Sequence, residues 1–389
     1  MLALRLARGS HPLVLLRRLA VSVAAAGTGF LLLSTVGHAA GHPSAADESL
    51  VRLLWCTAPL AATAQFAVST ARTDPAARLQ RGMTAAGLGP LRLTLLATVS
   101  TTLTCLLGVL LALLVFLRLR GDLGGPSAAG FEADLLGAGH PVPLVGALML
   151  LATVPLTAAA ATAFALRPRH EAGAAETGAE APPRTAPPSG LPWGIALAAA
   201  GLAIEAYTSR GTGGHGGLLP LPGRLIGSPP GVLAGWALSA FGLVLAGPGL
   251  VHLCGRLLCA GRPGALRLLS GRVLQEESHR LGRPLGVLCA VASAAYAAMK
   301  VYEASSSRPF GPLTAVGAAV VLACVTASAL TAALESRSAR AHTTAALRRL
   351  GASASVLHRA AALRALALVI VLAPLTWTVA EMATLPLVH

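Results

Sequence analysis

The chain has 389 residues, 54% of them hydrophobic and only 12% charged, with a formal net charge of +15. A soluble domain carries about a quarter charged residues, so this composition excludes an ordinary soluble fold and points to a membrane protein. The basic residues are almost all arginines that flank apolar runs without interleaved aromatics, so no nucleic acid is expected as a partner and the charge is read as topogenic.

Apolar windows of roughly 20 residues, the length a helix needs to cross a ~30 Å hydrocarbon core, recur along the chain. Strand-type alternation is absent, which argues against a barrel. The expected fold is all-α, a polytopic integral membrane protein with about nine transmembrane helices. The hydropathy places them near 19–37, 50–70, 92–117, 142–166, 191–208, 231–254, 284–302, 312–334 and 364–386.

The first run, "RRLAVSVAAAGTGFLLLSTVGHAAG", has a basic start and a small-residue site near Ala40, as a signal peptide would. Its length suits a full span better, and it is read as the first helix. His38 and His42 follow in "GHAAGH". With His140, His215, His389, Asp47 and Glu48 they form a group that could bind a metal or sense pH, although scattered loop histidines are the commoner case. Next comes "ARLQRGMTAAGLGPLRLTLLATVS", in which Gly87 and Gly89 break a basic stretch and Pro90 opens the third span. After the fourth span, "RPRHEAGAAETGAEAPPRTAPPSG" (167–190) reads as a disordered linker. Glu205 and Glu381 lie within or near the outer ends of later spans, where a carboxylate is costly and often functional. The six cysteines form no CxxC pair and most fall in apolar runs, so they are read as small hydrophobes.

The second basic stretch, "TTAALRRLGASASVLHRAAALRALAL" (Thr343–Leu368), has a physical logic. Arg337 to Leu350 can form a short helix at the membrane surface, with Ala345, Ala346, Leu347 and Leu350 on its apolar side. Gly351 suits the left-handed residue that ends a helix, and Ser353 or Ser355 can cap the next one.

Orientation follows from the arginines, because positive loops stay in the cytoplasm. With the N-terminus inside, the segments 1–18, 71–92, 167–190, 255–283 and 335–364 hold four, four, three, six and six arginines, 23 of the 30 basic residues. The chain also repeats itself. Arg8 pairs with Arg272, and Gly87 with Gly351, both at a separation of 264 residues. Each copy reads as a basic arm, a helix, a short outer loop, a helix, a basic cytoplasmic element and a helix.

"AALRRLGASASVLHRAAALRALAL" resembles the cytoplasmic loop and following helix of FtsX/MacB-type permeases of ABC transporters, and "LSGRVLQEESHRLGRPLGVL" is similar to the arm that precedes their module. The resemblance covers both copies, most clearly about 268–378. It implies two degenerate FtsX-like modules: a first, four-helix module over 1–166 and a second, of an arm and three helices, over 255–389. The cytoplasmic linker 167–190 and a connecting helix pair over 191–254 would lie between them. It implies a bacterial cytoplasmic membrane and an ABC ATP-binding subunit as partner, docking on a coupling element of Leu347, Arg348, Arg349, Leu350, Gly351, Ala352 and Ser353, and more weakly on Gln80, Gly87 and Gly89. The chain departs from the family in three ways. Its outer loops are short, its second copy shows three helices where the family's module has four, and its first copy, "TAAGLGP", lacks the arginine pair and the GAS triplet.

A Walker A motif needs a lysine followed by Ser or Thr, yet the sole lysine, Lys300, precedes Val301. ATP hydrolysis is therefore expected in a separate chain. No cofactor motif and no enzyme site stand out. The alternative is an ATPase-independent membrane protein, such as a proton-coupled transporter using Glu205, Glu381 and the histidines.

Overall fold

The computed structural model describes residues 12–44, 46–73, 90–122, 143–167, 190–210, 219–221, 225–228, 230–261, 264–304, 311–351 and 353–388, with His140 and Pro188. They form α1 (Pro12–Gly41), α2 (Ala46–Trp55), α3 (Thr57–Thr73), α4 (Pro90–Arg120), α5 (Leu144–Leu166) and α6 (Gly190–Arg210). Two short strands follow, β1 (Leu219–Leu221) and β2 (Leu225–Ser228), which pair as a two-stranded sheet. Then come α7 (Pro230–Cys259), α8 (Ala265–Ala304), α9 (Pro312–Ala339), α10 (Ala341–Arg349) and α11 (Ala354–Val388). Among the described residues nine helical segments are long and apolar enough to cross a membrane, with α2 and α3 together supplying one of them. The chain is an all-α polytopic membrane protein.

Proline marks several helix starts. Pro12, Pro90, Pro230 and Pro312 each open a helix, where the missing N–H costs no hydrogen bond. Pro59 does the opposite and explains why the expected single helix over 50–70 is two. Its ring competes for space with the carbonyl of Trp55, four residues earlier, and the helix breaks there. Cys56 bridges the break, its N–H shared between the carbonyls of Arg52 and Leu53 at 3.1 Å each.

Cα packing separates two compact units. The first comprises Met1–His170, Pro220–Arg224 and Phe310–Ser328. At its centre α1 lies against α4 so closely that a Cβ on Gly108 would collide with the carbonyl of Ser22. Ala25, Phe116, Leu151, Val154 and Ala158 are buried around this contact. A hydroxyl pair, Thr28 to Thr63 at 2.8 Å, ties α1 to α3 inside the apolar core, while Thr28 also donates to the Ala24 carbonyl in its own helix. Val320, in the first part of α9, fills the notch at Gly27.

The second unit comprises Glu171–Leu219, Leu225–Pro309 and Ala329–His389. Here α7 is clasped on two faces by helices that approach to backbone contact. Toward α6, an added Cβ at Gly194, Gly201, Gly235 or Gly242 would strike the facing main chain. Toward α8, the same holds at Gly247, Gly255, Gly271 and Gly282. Small residues serve here because lipid tails are as apolar as leucine, so close van der Waals contact must drive helix association. Val251, Cys254 and Leu274 form a small core with Leu368 and Val371 of α11 packed on it.

The arm before the seventh span is not a separate element, because α8 runs unbroken for 40 residues through Pro284. Its neighbours Gly282 and Gly286 lie against α7 at Pro248 and Val244, and this packing holds the helix together across the proline. The 264-residue offset recurs in the helix starts: Pro90 opens α4 and Ala354 opens α11.

Candidate functional site

The basic element is a helix–turn–helix corner. The expected single helix from Arg337 to Leu350 is instead divided at Arg340, whose backbone (φ −88°, ψ 0°) falls between the end of α9 and the start of α10. The Arg340 carbonyl accepts the Thr344 N–H at 2.9 Å and the hydroxyls of Thr343 and Thr344, so it satisfies the first turn of α10. At the far end Leu350 donates to the Ala346 carbonyl and Gly351 to that of Arg348, each at 3.1 Å. Gly351 has φ +94°, the left-handed geometry expected of a helix-ending glycine. Ser353 immediately precedes α11 and accepts the Leu357 N–H at its carbonyl, while its hydroxyl pairs with that of Ser355 at 2.9 Å.

Arg348, Arg349 and Leu350 are exposed, and Leu350, at 84% of its full accessible surface, is among the most exposed large apolar side chains. The Leu347 side chain, Ala352, and Gln80, Gly87 and Gly89 of the first copy lie outside the described residues. What the sequence reading missed is how the corner is held. Glu277 of α8 receives Arg340 Nε at Oε1, 2.8 Å away, and both side chains are largely sheltered. Arg340 also donates from Nη2 to Ser336 Oγ at 3.0 Å. Nothing in the linear pattern pairs residues 63 positions apart, although an acidic residue in an arginine-rich arm was a usable signal.

The two carboxylates of the apolar helices, Glu205 and Glu381, occupy different settings. Glu205 on α6 is 1% exposed and accepts Trp236 Nε1 of α7 at 2.6 Å on Oε1. Its Oε2 is buried with no partner among the described residues. Glu381 on α11 is partly exposed, accepts the Tyr296 hydroxyl at 2.9 Å, and lies 3.8 Å from Lys300 of α8. The lone lysine and the late glutamate, unconnected in sequence, are thus partners, with Trp377 donating to Tyr296 at 3.3 Å.

His38 and His42 stack with ring centroids 4.4 Å apart, and His42 Nδ1 lies 3.3 Å from the His38 carbonyl. Among the described residues no three His, Cys, Asp or Glu side chains converge as a metal site would require. His215, His389 and the side chains of Asp47 and Glu48 lie outside them.

The apolar helices and their glycine-mediated packing define the class, an integral membrane protein of helical type. Beyond that class, comparison with known proteins gives no match: no family model, no curated protein and no solved structure corresponds to this chain.

Proposed function

We propose that the chain is the membrane-spanning permease subunit of an ABC transporter, coupling ATP hydrolysis in a separate ATPase subunit to movement or sensing of a lipophilic or peptidic substrate. The observation that carries this reading is the exposed corner at Arg348, Arg349 and Leu350, ended by a left-handed Gly351. A leucine exposed at a helix end beside two arginines suits an apolar plug for a cleft, steered by acidic rim residues. In this reading the N-terminus and the corner face the cytoplasm, which the arginine distribution supports.

The test is recovery of the ATPase subunit on the tagged chain. Leu350→Asp places an unpaired charge in the docking contact, which costs about 3–5 kcal/mol. It should abolish recovery at equal membrane abundance, because the position lies outside the bilayer. Undiminished recovery would reduce the stretch to a positive-inside turn.

Glu205 favours a second reading, an ATPase-independent transporter that moves protons. Its carboxylate is buried in an apolar helix pair with one oxygen unpartnered among the described residues, a costly placement that often marks a functional group. Uncoupler-sensitive transport by the purified chain, abolished in Glu205→Gln, would select this reading over the first.

A further inference from the structure

The side chain that sits at the break between α9 and α10 grips two other elements. Arg340 Nε is 2.8 Å from Glu277 Oε1 and 3.1 Å from the Ser336 carbonyl, and its Nη2 donates to Ser336 Oγ. The Ser336 hydroxyl itself donates to the Ala333 carbonyl at 3.1 Å. Ser270, seven residues before Glu277 on the same face of α8, donates to the Ala360 carbonyl at 3.1 Å. The face of α8 that carries Ser270 and Glu277 thus packs on α11 at one position and holds the corner at the other.

The two ends of α10 are held differently. At Arg340 the main chain satisfies the first turn while the side chain is locked to Glu277. At Gly351 a Cβ would meet no atom within 4 Å, so the turn into α11 is unpacked on that side. The Arg340 end is therefore the end of α10 that is tied to another helix. Glu277 lies on a helix that continues without a break to Ala304.

We propose that Glu277 and Arg340 form the joint through which a displacement of α10 reaches the membrane-spanning helix α8 and, through the packing of α8 on α11, that helix too. The proposal rests on the permease reading, in which α10 is the docking element, and names the positioning residues of that site. It is a joint of the kind that moves as a rigid element because packed contacts have discrete arrangements. Glu277 and Arg340 touch no ligand; they act by holding α10.

The test uses the full chain in lipid nanodiscs, with the native cysteines replaced and spin labels at Thr343→Cys on α10 and Glu276→Cys on the arm. Pulsed dipolar spectroscopy should give one narrow distance. Glu277→Gln and Arg340→Gln should each broaden it, roughly doubling its width as α10 is freed to open locally. The double variant should be no broader than either single one, because both remove the same contact. Glu277→Asp, which keeps the charge, should restore most of the narrow component and guards against a variant that simply misfolds. Unchanged widths in both single variants would overturn the joint. A second arm measures ATPase recovery. It should stay within about twofold of the parent in Glu277→Gln, since Leu350 is untouched, while the ATP-dependent change in label distance is lost. Loss of recovery with an unchanged width would move Glu277 to the docking surface and also overturn the joint. If no ATPase binds even the parent chain, the permease reading fails and the distance widths still decide whether the joint holds α10.

Discussion

At the scale of single residues, backbone geometry and burial set the expected effects. Gly351 has φ +94°, where an L-residue pays roughly 1–2 kcal/mol, and a β-branched residue pays most. In the permease reading, Gly351→Val should therefore lower ATPase recovery, whereas Gly351→Asn, which tolerates the left-handed region, should retain most of it in the same pull-down. The cost is conformational, because a Cβ there has open space. Lys300 and Glu381 are a contrasting pair, 44% and 35% exposed at their side chains and 3.8 Å apart. An ion pair so open to its surroundings contributes about 0–1 kcal/mol, so Lys300→Met should shift the unfolding midpoint in detergent by little. A large drop would show that the lysine does more than pair. Gly351 was legible from sequence, since a glycine between a basic helix and a serine-led helix has one common geometry. The pairing of Lys300 with Glu381 was not, because only the packing of α8 beside α11 brings positions 81 residues apart together.

At the scale of elements, hydropathy and packing divide the work. Apolar windows located each candidate span among the described residues, because the thickness of a hydrocarbon core fixes a minimum length. They could not see where helices extend beyond the bilayer. Thus α8 begins at Ala265 and α11 at Ala354, well before the apolar runs near 284 and 364. Hydrogen bonding inside the helix continues as long as nothing stops it, and the basic arm contains nothing that does. The division of the second span at Cys56 follows from Pro59, a local cause the sequence displayed and hydropathy averaging hid. The glycines of α6 and α7 carry the strongest element-level expectation. Gly242→Val would drive a side chain into the main chain of α6 at Ala198 and Gly194. Overpacking of this kind costs about 1–3 kcal/mol, and more where backbone must move. The variant should lower the thermal midpoint of the purified chain, while Gly146→Val, near no helix but its own first turn, should not.

At the scale of the whole molecule, the arginine distribution makes the sharpest claim. Cysteines placed singly at Ser44 and Ser305 should react with an impermeant thiol reagent in intact cells, and those at Gly178 and Thr343 should not. Labelling at Thr343→Cys from outside would reverse the orientation and remove the corner from reach of any cytoplasmic ATPase. The sequence by itself determined the class, the spans and the position of the basic corner. Each of these depends on properties summed along the chain: apolar length, positive charge beside it, and a glycine where a helix must end. The tertiary structure alone decided which polar groups meet. It set Arg340 on Glu277, Trp236 on Glu205 and Tyr296 on Glu381, and it placed α6 and α7 with the second unit, where glycines bring α7 against both α6 and α8. Such contacts join residues tens of positions apart, and their partners are selected by how closely two backbones approach, which no local pattern of residues encodes.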